Sequence, residues 1–198
     1  MSKLRLGVIG AGSWAVASHL PNFAKRRDEV EFVGVSRKNV DLLERVRDEY
    51  GFEVASEDYR DVIEAGIDIA LVASPSGLHH EHARAALEAG AHVLVEKPVT
   101  VDPADAWDLV DLAAGRGRHL LVAFGWNYRP MVVDAKGLMD EHGIGTIEQI
   151  TVHMASATRE LLSNSGDYPG ADPVAVPESA TWTDPTLSGG GYGQAQLS

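Results

Sequence analysis

The chain has 198 residues, 44% hydrophobic and 23% charged, with no cysteine and a formal net charge of -12 at pH 7. That apolar content supports a packed core and excludes a globally disordered chain. So large an acidic excess argues against broad nucleic-acid binding, which needs clustered Lys and Arg, and the lack of cysteine removes disulfides, thiolate catalysis and cysteine-ligated metals.

Length suggests one domain or slightly more. No stretch approaches the roughly 18 consecutive apolar residues of a membrane span. Lys3, Arg5 and the small residues Ala15-Val16-Ala17 have the outline of a secretory leader. Leu4–Ile9 nevertheless reads as a buried strand running straight into Gly10-Ala11-Gly12, which leaves no removable leader. The expectation is a cytoplasmic protein with neither a membrane nor a nucleic-acid partner.

In chain order, short apolar runs at Leu4–Ile9, Val30–Ser36, Ile67–Ser74, His92–Glu96 and His119–Phe124 predict strands. Helical patterns fall between them, at Trp14–Arg26, Val40–Tyr50, Asp58–Ala65, His80–Ala89 and Pro103–Ala114. Asp102 before Pro103 is an expected cap. Gly51, Gly66, Gly90 and Gly115 follow helical runs, where a left-handed stop is expected. Regular alternation of strand and helix predicts an α/β fold: a doubly wound parallel sheet with crossover helices on both faces.

The pattern changes after about Gly125. Arg129–Glu141 predicts a further helix, Thr146–Ala157 one long strand of mixed polarity, and Ser163–Gly191 a long loop rich in Gly, Pro, Ser and Asp. The expected division is a dinucleotide-binding domain over residues 1–125 and the opening of a second, α+β domain over 126–198.

Gly10-Ala11-Gly12-Ser13-Trp14-Ala15 fits G-x-G-x-x-A between the first strand and the first helix. Gly10 allows the tight turn, Gly12 lets the backbone approach a pyrophosphate, and Ala15 lets helix and strand pack closely. The helix start offers N–H groups and a positive dipole end to the anion. At the end of the second strand, Val35-Ser36-Arg37-Lys38-Asn39 carries no acid for a ribose. Ser36, Arg37 and Lys38 suit a 2′-phosphate, which favours NADP over NAD; the two cations equally suit the solvated start of the next helix. Ser74-Pro75-Ser76-Gly77-Leu78-His79 and Glu96-Lys97-Pro98 follow two further strands, so both point to the crevice outside the strand ends.

These segments resemble the Gfo/Idh/MocA oxidoreductases. The resemblance rests on Gly10–Ala15, on Ser74–His79 (similar to the family's T-P-N-x-x-H), and above all on Ala89-Gly90-Ala91-His92-Val93-Leu94-Val95-Glu96-Lys97-Pro98. Trp126-Asn127-Tyr128-Arg129 and Gly143-Ile144-Gly145 resemble the family's entry to its second domain. The resemblance implies a Rossmann domain binding NAD(P), and hydride transfer between the nicotinamide and a carbinol carbon of a sugar, cyclitol or related polyol. It makes Lys97 the catalytic lysine, donating to the reacting oxygen, with Glu96 orienting it or contacting the nicotinamide and Pro98 following a cis bond. Ser74 and Ser76 replace the family's Thr and Asn, and with Pro75 and the motif histidine His79 they are expected at the cofactor. Asn127 and Arg129 either touch substrate or cofactor or anchor the linker. His79, His80 and His82 lack a fourth ligand for zinc, so no metal is expected.

Family members often carry G-G-x-x-x-D-x-G-x-H near the active site. Here the glycine turn Ser188–Gly191 matches, but Ala195 stands in the acid's place, and the histidine's position follows Ser198. The expectation is a fragment of a longer, homo-oligomeric enzyme, able to bind cofactor and lacking a complete catalytic set. The alternative is a non-catalytic NADP-binding sensor that regulates a partner.

Overall fold

The computed structural model describes residues 2–153 and 184–189. They divide into two compact units. The first takes in residues up to Ala123 together with the short 184–189 segment; the second begins at Phe124.

In the first unit, β1 (Leu4–Ile9), β2 (Val30–Ser36), β3 (Val54–Ser56), β4 (Ile69–Val72), β5 (His92–Val95) and β6 (Leu120–Val122) form one sheet in the order β3-β2-β1-β4-β5-β6. Every pairing is parallel. Between the strands run α1 (Leu20–Ala24), α2 (Val40–Tyr50), α3 (Tyr59–Glu64), α4 (His79–Glu88) and α5 (Pro103–Arg116). This strand order is that of the dinucleotide-binding Rossmann fold, and it reverses between β1 and β4.

Two apolar layers sandwich the sheet. Leu71 packs with Leu6, Val8, Phe32, Leu43 and Val46 on one side, whereas its neighbours Ala70 and Val72 pack with Ala83, Leu87, Val93 and Leu109 on the other. That split is the two-residue period of a strand buried on both faces. Each fully buried Leu or Val contributes about 1.5–3 kcal/mol. α2 forms where expected because Leu43, Val46 and Tyr50 share one buried stripe and Asn39 Oδ1 accepts the Leu42 N–H. α5 starts at the expected cap: Asp102 Oδ1 accepts the Ala104 N–H at 2.8 Å.

Several boundaries differ from the sequence expectation. The first helix is not uniform. Ala15–His19 is a π-helical turn that passes into α1, and α1 ends at Ala24. Pro21 supplies the reason, since it has no N–H to give and its ring crowds the carbonyl four residues back. The left-handed stop of α5 is Gly117, not Gly115; the helix runs through Gly115 to Arg116. β3 is three half-buried residues at the sheet edge, too short for a periodic signal.

In the second unit, a 3₁₀ turn at Gly125–Tyr128 leads into α6 (Pro130–His142). The strand expected over 146–157 does not form in its described part, 146–153. No other strand of this unit is available among the described residues to complete its backbone pairing. Ile147, Ile150 and Val152 are accordingly exposed. Within the expected loop 163–191, Asp184 caps a four-residue helix, α7 (Pro185–Ser188), with Pro185 at the first helical position. The rest of that loop, Ala195 and the expected helix start beyond Gly191 lie outside the described residues. Among the described residues, no helix is long and apolar enough to cross a membrane.

Candidate active site

The carboxyl ends of β1, β2, β4 and β5 bring four of the expected segments to one edge of the sheet. Outside the β1 end, Gly10 has φ +84 and packs on the backbone of the β4 turn; a Cβ there would lie 2.4 Å from Ser74 N. Gly12 is different. Among the described residues, a Cβ at Gly12 would meet only Gly10 O, at 4.0 Å. Among the described residues nothing fills that space, so the surface beside Gly12 is a cradle that a side chain would occupy and a pyrophosphate can approach. Ser13 and exposed Trp14 open the helix next to it, and Ala15 is buried against the sheet. The glycine loop therefore fits a dinucleotide by its own geometry.

The β2 end braces this loop. Ser36 O accepts from Gly10 N at 3.0 Å and from Ala11 N at 2.8 Å. Ser36 is buried, with its Oγ accepting from Gly10 N at 3.4 Å. Arg37 Nη1 donates to Ala11 O at 2.9 Å, which draws a guanidinium to the edge of the loop. Lys38 is exposed beside it. Asp58 sits below the ordinary carboxylate range, held chiefly by the Arg60 N–H and side chain, with Lys38 also contributing. Glu57 Oε1 accepts the Asn39 N–H at 2.8 Å. The two cations thus share their surroundings with two acids that follow β3, a juxtaposition the sequence pattern did not reveal.

Between the β4 and β5 turns stands His79, 1% exposed. Its Nε2 lies 2.7 Å from Ser74 O and its Nδ1 2.8 Å from Pro98 O. Burial pushes its imidazole below the ordinary histidine value, against the opposing pull of the Pro98 and Ser74 carbonyls and of Glu96. A neutral ring donates to only one of the two carbonyls. The motif histidine therefore sits between the Ser74–Ser76 turn and the Lys97–Pro98 turn, donating to one and packed against the other. His82 Nδ1 reaches Ser74 Oγ at 2.8 Å, and His80 Nε2 reaches Asp108 at 2.7 Å. Among the described residues no group of three or more His, Asp or Glu could hold a metal ion.

At the β5 end, Glu96 is buried, Lys97 is half-buried, and the Lys97–Pro98 bond is cis, as the resemblance implied. Glu96 Oε2 accepts the Lys97 N–H at 3.0 Å. Its Oε1 lies 2.5 Å from His19 Nε2. Burial raises the Glu96 carboxyl, but the hydrogen bond and charge of His19, joined by Lys97, bring it below the ordinary value. His19 was not singled out in the sequence. It carries no motif, and its partner is 77 positions away. Asn127 and Arg129 belong to the second unit. There the Arg129 guanidinium lies over the Trp126 ring, 4.7 Å from its centroid.

A sheet of order 3-2-1-4-5-6 with an open glycine loop after its first strand defines an NAD(P)-binding Rossmann domain. Residues 4–124 match the Gfo/Idh/MocA oxidoreductase family, NAD-binding Rossmann fold, and the chain belongs to that family. It is 30% identical over 191 residues to D-glucoside 3-dehydrogenase of Escherichia coli, covering 96% of this chain and 50% of that protein. It is 34% identical over 162 residues to inositol 2-dehydrogenase 1 of Saccharopolyspora erythraea, covering 80% and 47%. Among solved structures, KijD10, a 3-ketoreductase from Actinomadura kijaniata in complex with NADP, superposes with a TM-score of 0.66 at 32% identity, covering 74% of this chain and 46% of that one. The chain thus spans about half the length of the curated relatives it matches.

Proposed function

We propose that the protein is an NADP-dependent oxidoreductase acting on a carbinol or carbonyl carbon of a sugar or polyol, with Lys97 as its catalytic residue. One observation carries this reading. A glycine loop with open space at Gly12 and the Glu96-Lys97-Pro98 turn meet at the same end of one parallel sheet. Relatives named for glucoside and inositol oxidation and for ketone reduction support the substrate class.

The Gly10–Ala15 loop would receive the pyrophosphate on the N–H groups of the helix start. Arg37 and Lys38, with Ser36 bracing the loop, would receive the 2′-phosphate. Ser74, Pro75, Ser76 and Glu96 would line the nicotinamide half, with His79 holding their turns together. When bound, the nicotinamide supplies hydride exchange. Lys97 contributes the charge: its ammonium donates to the reacting oxygen and stabilises an alkoxide there more than it does the ground-state carbonyl or hydroxyl. Glu96, tied to His19 and to the Lys97 N–H, fixes the backbone from which that lysine projects.

A panel of polyols and ketoses with NADP and NADPH tests the reading, with Lys97→Ala beside the wild type. Turnover is expected to fall about 100-fold or more in the variant, with cofactor affinity nearly unchanged. Full activity of Lys97→Ala would remove the lysine's role. A second reading, a non-catalytic dinucleotide sensor, is motivated by Ala195 at the acid's place in the glycine-turn motif. Turnover of any panel member removes it.

A further inference from the structure

Asp184–Gly189 follows the second unit in the chain but belongs to the first, where it packs on the 3₁₀ turn Ser76–Leu78 after β4. A single helical turn does not hold its shape alone in water, and here local bonds close it. Asp184 Oδ1 accepts the Thr186 N–H at 2.8 Å and the Thr186 hydroxyl at 2.7 Å. Gly189, at a left-handed φ of +69, donates its N–H to Pro185 O at 2.8 Å. Opposite this turn stands Gly77. It is not one of the glycines at positive φ, so its own backbone would accept a side chain. The neighbour excludes one: a Cβ on Gly77 would overlap Thr186 O and would lie 3.1 Å from Thr186 C and 3.2 Å from Leu187 Cα. All three are backbone atoms, which cannot turn aside as a flexible side chain can. Ser188, next along, is buried.

This seat adjoins the candidate site. Ser76–Leu78 leads straight into α4, whose first residue, His79, lies between Ser74 O and Pro98 O. The anchors assigned to the dinucleotide are elsewhere on the same edge, in the open space at Gly12 after β1 and at Arg37 after β2. We propose that Gly77 is a positioning residue: its missing side chain admits α7 to the β4 turn, and α7 seated there completes the site on the side of the β4 and β5 turns, so that the contact governs binding of the sugar or polyol and not of the dinucleotide. This rests on the oxidoreductase reading above, which puts the substrate beside Lys97.

The test compares Gly77→Ala with Asp184→Ala, which unseats α7 from the other side by removing its cap. Hydrogen exchange at residues 186–189 should quicken about tenfold or more in both variants, while β1 and β4 keep their protection. With the sugar and polyol panel, KM for the best substrate should rise about tenfold or more, whereas the dissociation constant for NADP without substrate should change less than about twofold. A role limited to holding the fold would lower the urea midpoint and leave KM where it was. Unchanged exchange at 186–189 in Gly77→Ala overturns the seat. Quickened exchange with KM unchanged in both variants overturns the positioning role, as does an equal weakening of NADP. A wild type that turns over no panel member overturns the oxidoreductase reading and the substrate role with it, while exchange still decides the seat. Circular dichroism identifies a variant that does not fold, and the other variant then decides.

Discussion

The backbone nitrogen of Ser74 lies 2.4 Å from where a Cβ on Gly10 would sit. Two glycines of one motif consequently do different work. Gly10→Ala combines a left-handed φ of +84 with a backbone collision, and neither can be relieved by turning a side chain. The loss is expected to reach about 2 kcal/mol or more. Among the described residues Gly12→Ala meets only Gly10 O, at 4.0 Å, so the fold should tolerate it. Its methyl would occupy the space assigned to the pyrophosphate. Urea unfolding should therefore separate Gly10→Ala from wild type but not Gly12→Ala, while cofactor titration should find Gly12→Ala severely weakened. Equal cofactor affinity in Gly12→Ala and wild type would place the dinucleotide elsewhere.

Arg37 and Lys38 are neighbours with unequal duties. Arg37 donates to Ala11 O inside the glycine loop, so its loss disturbs the loop as well as the charge. Lys38 is exposed and contributes charge to its surroundings. Lys38→Ala should weaken NADP by about 1 kcal/mol and leave NAD unchanged. Arg37→Ala should weaken both, and NADP more. Paired titrations at low and high salt check this, since the NADP-specific part is electrostatic and screened. Tighter binding of NAD than NADP by the wild type would overturn the 2′-phosphate assignment.

Most of the Rossmann sheet was legible because its signals are local. Strands buried on both faces are short apolar runs, and caps such as Asp102 and the glycine stops sit within a few residues of what they terminate. Gly117 displaced Gly115 because the helix can absorb one glycine when Ala113 and Leu109 below it are buried. The site was legible only where chemistry repeats in a motif, as in Gly10–Ala15 and Glu96–Pro98. His19 and the carbonyl partners of His79 were not. Hydrogen bonds across 77 and 19 positions depend on how the sheet stacks its strand ends, which no window of sequence contains. The 146–153 stretch misled for a related reason. Its pattern suits a strand, but a strand also needs a neighbour to pair with.

His79 bridges two turns through one buried ring, so its removal should be felt in both. His79→Ala empties a buried volume between the Ser74 and Pro98 carbonyls and leaves one of them without its donor. A loss of about 3 kcal/mol in urea unfolding is expected. Hydrogen exchange should also quicken at Ser76–Leu78 and around Lys97, while β2 keeps its protection. Unchanged exchange at either turn would mean that the ring does not couple them.

His82 gives the fold a pH dependence whose sign follows from its burial. Loss of solvent pushes its imidazole down to about 4 from the ordinary 6.5, with Glu81 opposing and His79 and Arg60 adding to the depression. Its Nδ1 meets Ser74 Oγ, and its ring lies 4.3 Å from that of Tyr59. Between those two values the unfolded chain binds the proton and the folded chain does not. The stabilising contribution is therefore complete above about pH 6.5 and is lost progressively as the pH falls toward 4. His79, depressed in the same direction, adds to the slope. Urea midpoints taken from pH 7.5 to pH 5 should fall in the wild type. In His82→Asn, which keeps a polar group near Ser74 but cannot titrate, they should fall less. Parallel curves for the two proteins would show that the His82 proton is not what acid adds.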